Sequence, residues 1–76
     1  MIPLPPFRLV TAPSDARVAS IVPPGATVSP GDVVAVLEAP RGRVPVIAPV
    51  HGRIGGTLTG ALQSVTSGDG IVWIEN

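Results

Sequence analysis

The chain has 76 residues, a formal net charge of zero, no cysteine and no lysine. A core of that size sits near the lower limit for a domain held without disulfides or metal, and the missing cysteines exclude a disulfide scaffold and a thiolate metal site. Neutral charge leaves no electrostatic footprint for nucleic acid or an anionic membrane, and no apolar run approaches the roughly 20 residues that span a bilayer.

The chain does not open on a basic region followed by an apolar stretch, so the expectation is a soluble protein of the cytoplasm. Met1 to Pro6 holds three prolines in six residues and reads as an extended arm that cannot supply a regular ladder, which leaves residues 7–76 as the single domain. Ten prolines and nine glycines, spread along the chain, leave no window for a stable helix. The runs between them are rich in Val and Ile and predict strands over Phe7–Thr11, Arg17–Val22, Asp32–Glu38, Arg43–Ala48, Arg53–Leu58 and Ile71–Glu75. Turn signals fall at Pro23-Pro24-Gly25, Ser29-Pro30-Gly31, Pro40-Arg41-Gly42 and Ser67-Gly68-Asp69-Gly70, where a fixed φ meets a residue free to take positive φ. The predicted fold class is all-β.

The two halves of the chain repeat each other. Val10 to Val18 aligns with Val46 to Ile54, an offset of 36 residues, through a shared Ala-Pro entry and an Arg followed by a β-branched residue. Thr27-Val28-Ser29-Pro30-Gly31-Asp32 aligns with Ser64-Val65-Thr66-Ser67-Gly68-Asp69, and Glu38 with Glu75, at an offset of 37. Two similar halves predict a pseudo-twofold fold in which Thr27–Glu38 lies on Ser64–Glu75 and Gly31 and Gly68 share backbone angles.

The stretch from Gly25 to Glu38, with its Gly-x-x-Val-x-x-Gly-Asp loop feeding a strand that ends in Glu, resembles the first half of biotinyl and lipoyl carrier domains. Those domains continue with the modified lysine three residues after that Glu, then a strand and an Ala-Pro-x-x-Gly turn. Here Glu38 is followed at the same spacing by Arg41, Val44, Val46 and Ala48-Pro49-Val50-His51-Gly52. The resemblance covers about residues 9 to 75. It implies a flattened β-barrel or sandwich of two four-stranded antiparallel sheets related by a pseudo-twofold, with the Arg41 hairpin at one end.

Arg41 occupies the position of the modified lysine, and a guanidinium cannot form the amide that holds biotin or lipoate. Biotin acceptors carry Met on both sides of the lysine and lipoyl acceptors usually an acidic residue before it, whereas this chain has Pro40 and Gly42. No biotin, lipoate or other cofactor, no metal site and no catalytic residue are therefore expected.

Other residues with chemistry are weighed against plainer roles. Arg41-Gly42-Arg43 at a hairpin tip suits a carboxylate or phosphate on a partner, although two arginines also simply keep a turn soluble. His51, equivalent to Asp15, has no evident nucleophile beside it and is expected to be structural or idle. Asp32 and Asp69 occupy equivalent turns, so each carboxylate is expected to accept backbone N–H bonds of its own turn. The glycines of Gly52-x-x-Gly55-Gly56-x-x-x-Gly60 are no phosphate loop, because no Lys-Ser/Thr follows, and should permit a bulge or bend. Trp73, which answers Val36, is expected to close the core; stacking on a ligand would need it exposed.

The favoured functional expectation is an unmodified carrier-like domain serving as an interaction or structural module, docking on an acyltransferase or carboxylase-type enzyme as the resemblance implies. One alternative is a small enzyme or ligand-binding protein that reuses the scaffold, with Arg41, Arg43, His51 or Asp15 as polar groups at a surface or inter-subunit site. Another is a rigid spacer within a longer chain, as in membrane-fusion adaptors, against which the starting Met1 counts. The sequence leaves the partner and the oligomeric state open.

Overall fold

Short Val- and Ile-rich runs interrupted by Gly and Pro can satisfy their backbone groups only by pairing with one another. A computed structural model describes residues 7–76, so the expected arm over Met1–Pro6 lies outside the described residues. Eight strands form: β1 Phe7–Thr11, β2 Ala16–Ile21, β3 Thr27–Val28, β4 Val33–Ala39, β5 Gly42–Ile47, β6 Gly52–Thr57, β7 Ser64–Val65 and β8 Gly70–Glu75. Six of them fall where the sequence predicts strands, with ends moved by at most one residue. β3 and β7 are two-residue strands inside the Val-x-x-Gly-Asp segments, too short to show an alternation.

The strands pair antiparallel into two four-stranded sheets, ordered β1-β8-β6-β3 and β5-β4-β2-β7. Replacing each strand by its counterpart in the other half turns the first order into the second. The same exchange holds for the buried core, in which Val10, Ala12, Val18, Val28, Val34, Ala35 and Leu37 answer Val46, Ala48, Ile54, Val65, Ile71, Val72 and Ile74. Each half thus supplies the same half of the core, and neither could bury its apolar face without the other.

The sheets stay separate, which corrects the barrel form of the expectation to a sandwich. β3 and β7 lie at sheet edges and are too short to carry a ladder around the corner into the facing sheet.

Loop hydrogen bonds repeat as well. Gly31 N–H donates to Ala48 O at 3.0 Å and Gly68 N–H to Ala12 O at 2.9 Å. Asp32 Oδ2 accepts the Ser29 N–H, and Asp69 Oδ2 the Thr66 N–H, each at 2.8 Å. Both carboxylates therefore play the structural role expected of them. Gly31 and Gly68 take φ of 94° and 92°, a region in which a side chain would be strained.

Four register shifts mark bulges, and they too come in corresponding pairs. The registers make Val34 and Ile71 the extra residues of β4 and β8, so Val34-Ala35 and Ile71-Val72 are each buried as adjacent residues despite the period of two. In β6 the extra residue is Gly55, as the glycine pattern led one to expect.

Trp73 departs from expectation. It is half-buried, and the core cluster does not include it. Val72 and Ile74 face inward, so the residue between them faces out.

Candidate functional site

The tip of the β4–β5 hairpin is set by its two loop residues. Ala39 and Gly42 are partners across the ladder and leave Pro40-Arg41 as the connection. Proline fixes φ at the first position, and Gly42 closes the turn with φ 131°, open to glycine but not to most side chains. Pro40, Arg41, Gly42 and Arg43 are all exposed. The three residues expected at a partner surface, Arg41, Gly42 and Arg43, are thus contiguous at one end of the sandwich.

Behind the tip, Arg17, Glu38 and Arg43 stand in register across β2, β4 and β5. Arg17 Nη2 pairs with Glu38 Oε2 at 3.4 Å, and both side chains are largely solvated. Such a pair contributes about 0–1 kcal/mol, so it orients the surface more than it holds the fold. Among the described residues neither Arg41 nor Arg43 forms an ion pair.

The remaining polar candidates are not gathered into a site. Asp15 Oδ1 accepts the Ser67 backbone N–H at 2.8 Å and is engaged in holding two turns together. His51 is exposed beside Gly52, and the shallow grooves that it lines are shared with neither Arg41 nor Arg43. Among the described residues no group of three His, Cys, Asp or Glu side chains is placed to hold a metal ion. Among the described residues no helix is long and apolar enough to cross a membrane.

A second feature was not foreseen in the sequence. On the outer face of the β1-β8-β6-β3 sheet, Phe7, Leu58, Trp73 and Glu75 line a groove of about 360 Å³. Trp73 lies opposite Gly56 in the ladder, and a Cβ built on Gly55 or Gly56 would overlap the indole. The two glycines therefore form the bed on which the ring rests. Trp73 Nε1 donates to Glu75 Oε1 at 3.1 Å, which fixes the ring in its plane. The sequence signal was the Gly-Gly pair opposite the one Trp, readable only once the register of β6 on β8 is known.

No protein-family model and no curated protein matches the chain. Solved structures share its fold. A long-chain acyl-CoA carboxylase, described as single-chain and multi-domain, matches with a TM-score of 0.88 and 26% identity over 100% of this chain and 8% of that one. The urea carboxylase of Kluyveromyces lactis matches with a TM-score of 0.84 and 23% identity over 97% of this chain and 7% of that one. The chain spans less than a tenth of either enzyme, so the likeness is to one small part of each. The two-sheet architecture is a biotinyl/lipoyl-like fold, similar to that of a segment within a carboxylase chain.

Proposed function

We propose that the chain is a biotinyl/lipoyl-like module that carries neither biotin nor lipoate and docks through its β4–β5 tip on an acyltransferase or carboxylase-type enzyme. One observation carries the reading: the exposed tip bears Arg41 where a carrier would bear its lysine, in a chain with no lysine at all. The side chain needed for the amide is missing, while the hairpin that would present it is kept. Two guanidinium groups at that point favour a partner surface with carboxylates or phosphates. The likeness to a segment of an acyl-CoA carboxylase chain supports a carboxylase-related setting for such a partner.

The enzyme reading finds less support, because Asp15, His51 and the tip arginines do not share a groove among the described residues. The test is a binding measurement against enzymes co-purified with the tagged chain. Arg41→Ala with Arg43→Ala should weaken capture at unchanged thermal stability, and His51→Ala should leave it intact. Loss of function with His51→Ala in a folded protein, and none with the arginine pair, would reject the module in favour of acid–base chemistry.

A further inference from the structure

The two halves share a core but differ on their outer faces, and among the described residues the difference leaves Glu75 without the cation that its counterpart Glu38 has. Glu38 and Glu75 occupy equivalent positions. Glu38 is paired with Arg17 and stands in register with Arg43. Glu75 has Phe7 in register in place of Arg43, and Arg53, the counterpart of Arg17, stands in register on its other side. Yet among the described residues Arg17–Glu38 is the only ion pair, so neither Arg53 nor any other of them pairs with Glu75. In one half the chain supplies its own cation. In the other it supplies aromatic surface instead.

We propose that the groove lined by Phe7, Leu58, Trp73 and Glu75 binds a quaternary alkylammonium group. The Trp73 indole is backed by Gly55 and Gly56, and the groove opens beside it between Phe7 and Leu58, which are 62% and 55% exposed. A cation over an aromatic face is attracted by the ring quadrupole, and Trp is the strongest such partner. Glu75 Oε1 is occupied by the Trp73 N–H, while no hydrogen bond engages Oε2 among the described residues. The carboxylate therefore sits at the edge of the indole with charge to spare.

The walls select the kind of cation. Guanidinium and primary ammonium groups carry several N–H donors, which Phe7 and Leu58 cannot satisfy and which would have to stay turned to the solvent at the open side of the groove. A quaternary ammonium carries none. Its methyl groups suit the apolar walls, and its charge is met by one ring face and one carboxylate. A groove of about 360 Å³ admits a headgroup of that size.

Trp73 is the only tryptophan, so its fluorescence reports the groove directly. The full chain is titrated with choline chloride at constant ionic strength and, in parallel, with 3,3-dimethyl-1-butanol, the neutral isostere of the same shape. The expected result is a saturable change with choline and binding of the alcohol weaker by about fivefold or more. Glu75→Gln, which keeps an acceptor for the Trp73 N–H, should weaken choline by about three- to tenfold. The wild-type comparison needs no variant and stands if Glu75→Gln fails to fold. Equal binding of the two isosteres, or no saturable change in the folded chain, overturns the proposal. A response to a Met1–Pro6 peptide without one to choline also overturns it, by assigning the groove to proline-rich segments.

Discussion

The carboxylate of Asp15 accepts the backbone N–H of Ser67 at 2.8 Å and ties together two turns that are 52 residues apart in sequence. The other half cannot make this bond. Ser67 corresponds to Pro30, which has no N–H, and Asp15 corresponds to His51. Where the donor is lost, the acceptor is no longer required, and this explains why a histidine is tolerated at position 51. Asp15→Ala should therefore cost about 1 kcal/mol, less than the roughly 1.5–3 kcal/mol of a hydrogen bond to a charged group because the site is exposed, and lower Tm by roughly 4–8 °C. His51→Ala should stay within about 0.5 kcal/mol. Urea denaturation of the two variants checks the pair, and equal losses would show that the asymmetry has no energetic content.

Glycine placement gives a second expectation. Gly31 and Gly68 share φ near 93°, with values of 94° and 92°, and nothing stands within 4 Å of a Cβ built on either. Substitution is opposed by the backbone and not by space. Gly31→Val and Gly68→Val should each destabilise by about 1 kcal/mol or more. Leu62 is the counterpart of Gly25 and holds φ of 70° against 92° for the glycine. It is 72% exposed, so its side chain contributes little packing in return. Leu62→Gly should accordingly stabilise the domain by about 0.5–1 kcal/mol, read as a rise in Tm. A fall in Tm would show that Leu62 has a contact worth more than its strain.

The fold was legible because its determinants are local and occur twice. The Val-x-x-Gly-Asp turns need a glycine at positive φ and an aspartate that closes on its own loop, and both requirements show in the sequence at Gly31-Asp32 and Gly68-Asp69. What depended on register was not legible. Trp73 lies between two inward-facing residues in an unbroken apolar run from Ile71 to Ile74, so alternation gives no sign of its outward face. The role of Gly55 and Gly56 follows only from the pairing of β6 with β8 across a bulge. Arg41 lies in the two-residue turn that Ala39 and Gly42 bracket and Arg43 directly follows Gly42, so the exposure of both side chains follows from the hairpin punctuation alone.

The bed beneath Trp73 can be tested by exchanging it for its counterpart. Gly56 pairs with Trp73 in one sheet, and the equivalent pair in the other is Ser20 with Val36. Gly56→Ser puts a Cβ into the indole and should destabilise by about 1–3 kcal/mol, the usual cost of overpacking. In a Trp73→Val background the same change reproduces the Ser20–Val36 pair and should cost much less. A double-mutant cycle by chemical denaturation then gives a coupling energy of about 1 kcal/mol or more. Additive effects would mean that Gly56 is fixed by something other than the ring.

On the proposed reading the chain bears no biotin or lipoate, for want of a lysine at the tip. Arg41→Lys restores an amine at an exposed position of the tip. It does not restore the neighbours, because Pro40 fixes φ on one side and Gly42 holds φ of 131° on the other. A ligase that reads the turn as well as the amine meets a backbone that the Met-flanked acceptors of biotin cannot share, since Met at position 42 would be strained in this conformation. Wild type and Arg41→Lys, produced in a host with active biotin and lipoate ligases, should both show the intact mass of the unmodified polypeptide. Adding Pro40→Met and Gly42→Met to Arg41→Lys should lower stability by about 1 kcal/mol or more through residue 42. Mass gain in the wild type would sink the unmodified reading itself. Efficient modification of Arg41→Lys would leave that reading in place and show that the lysine, not the turn, was the barrier.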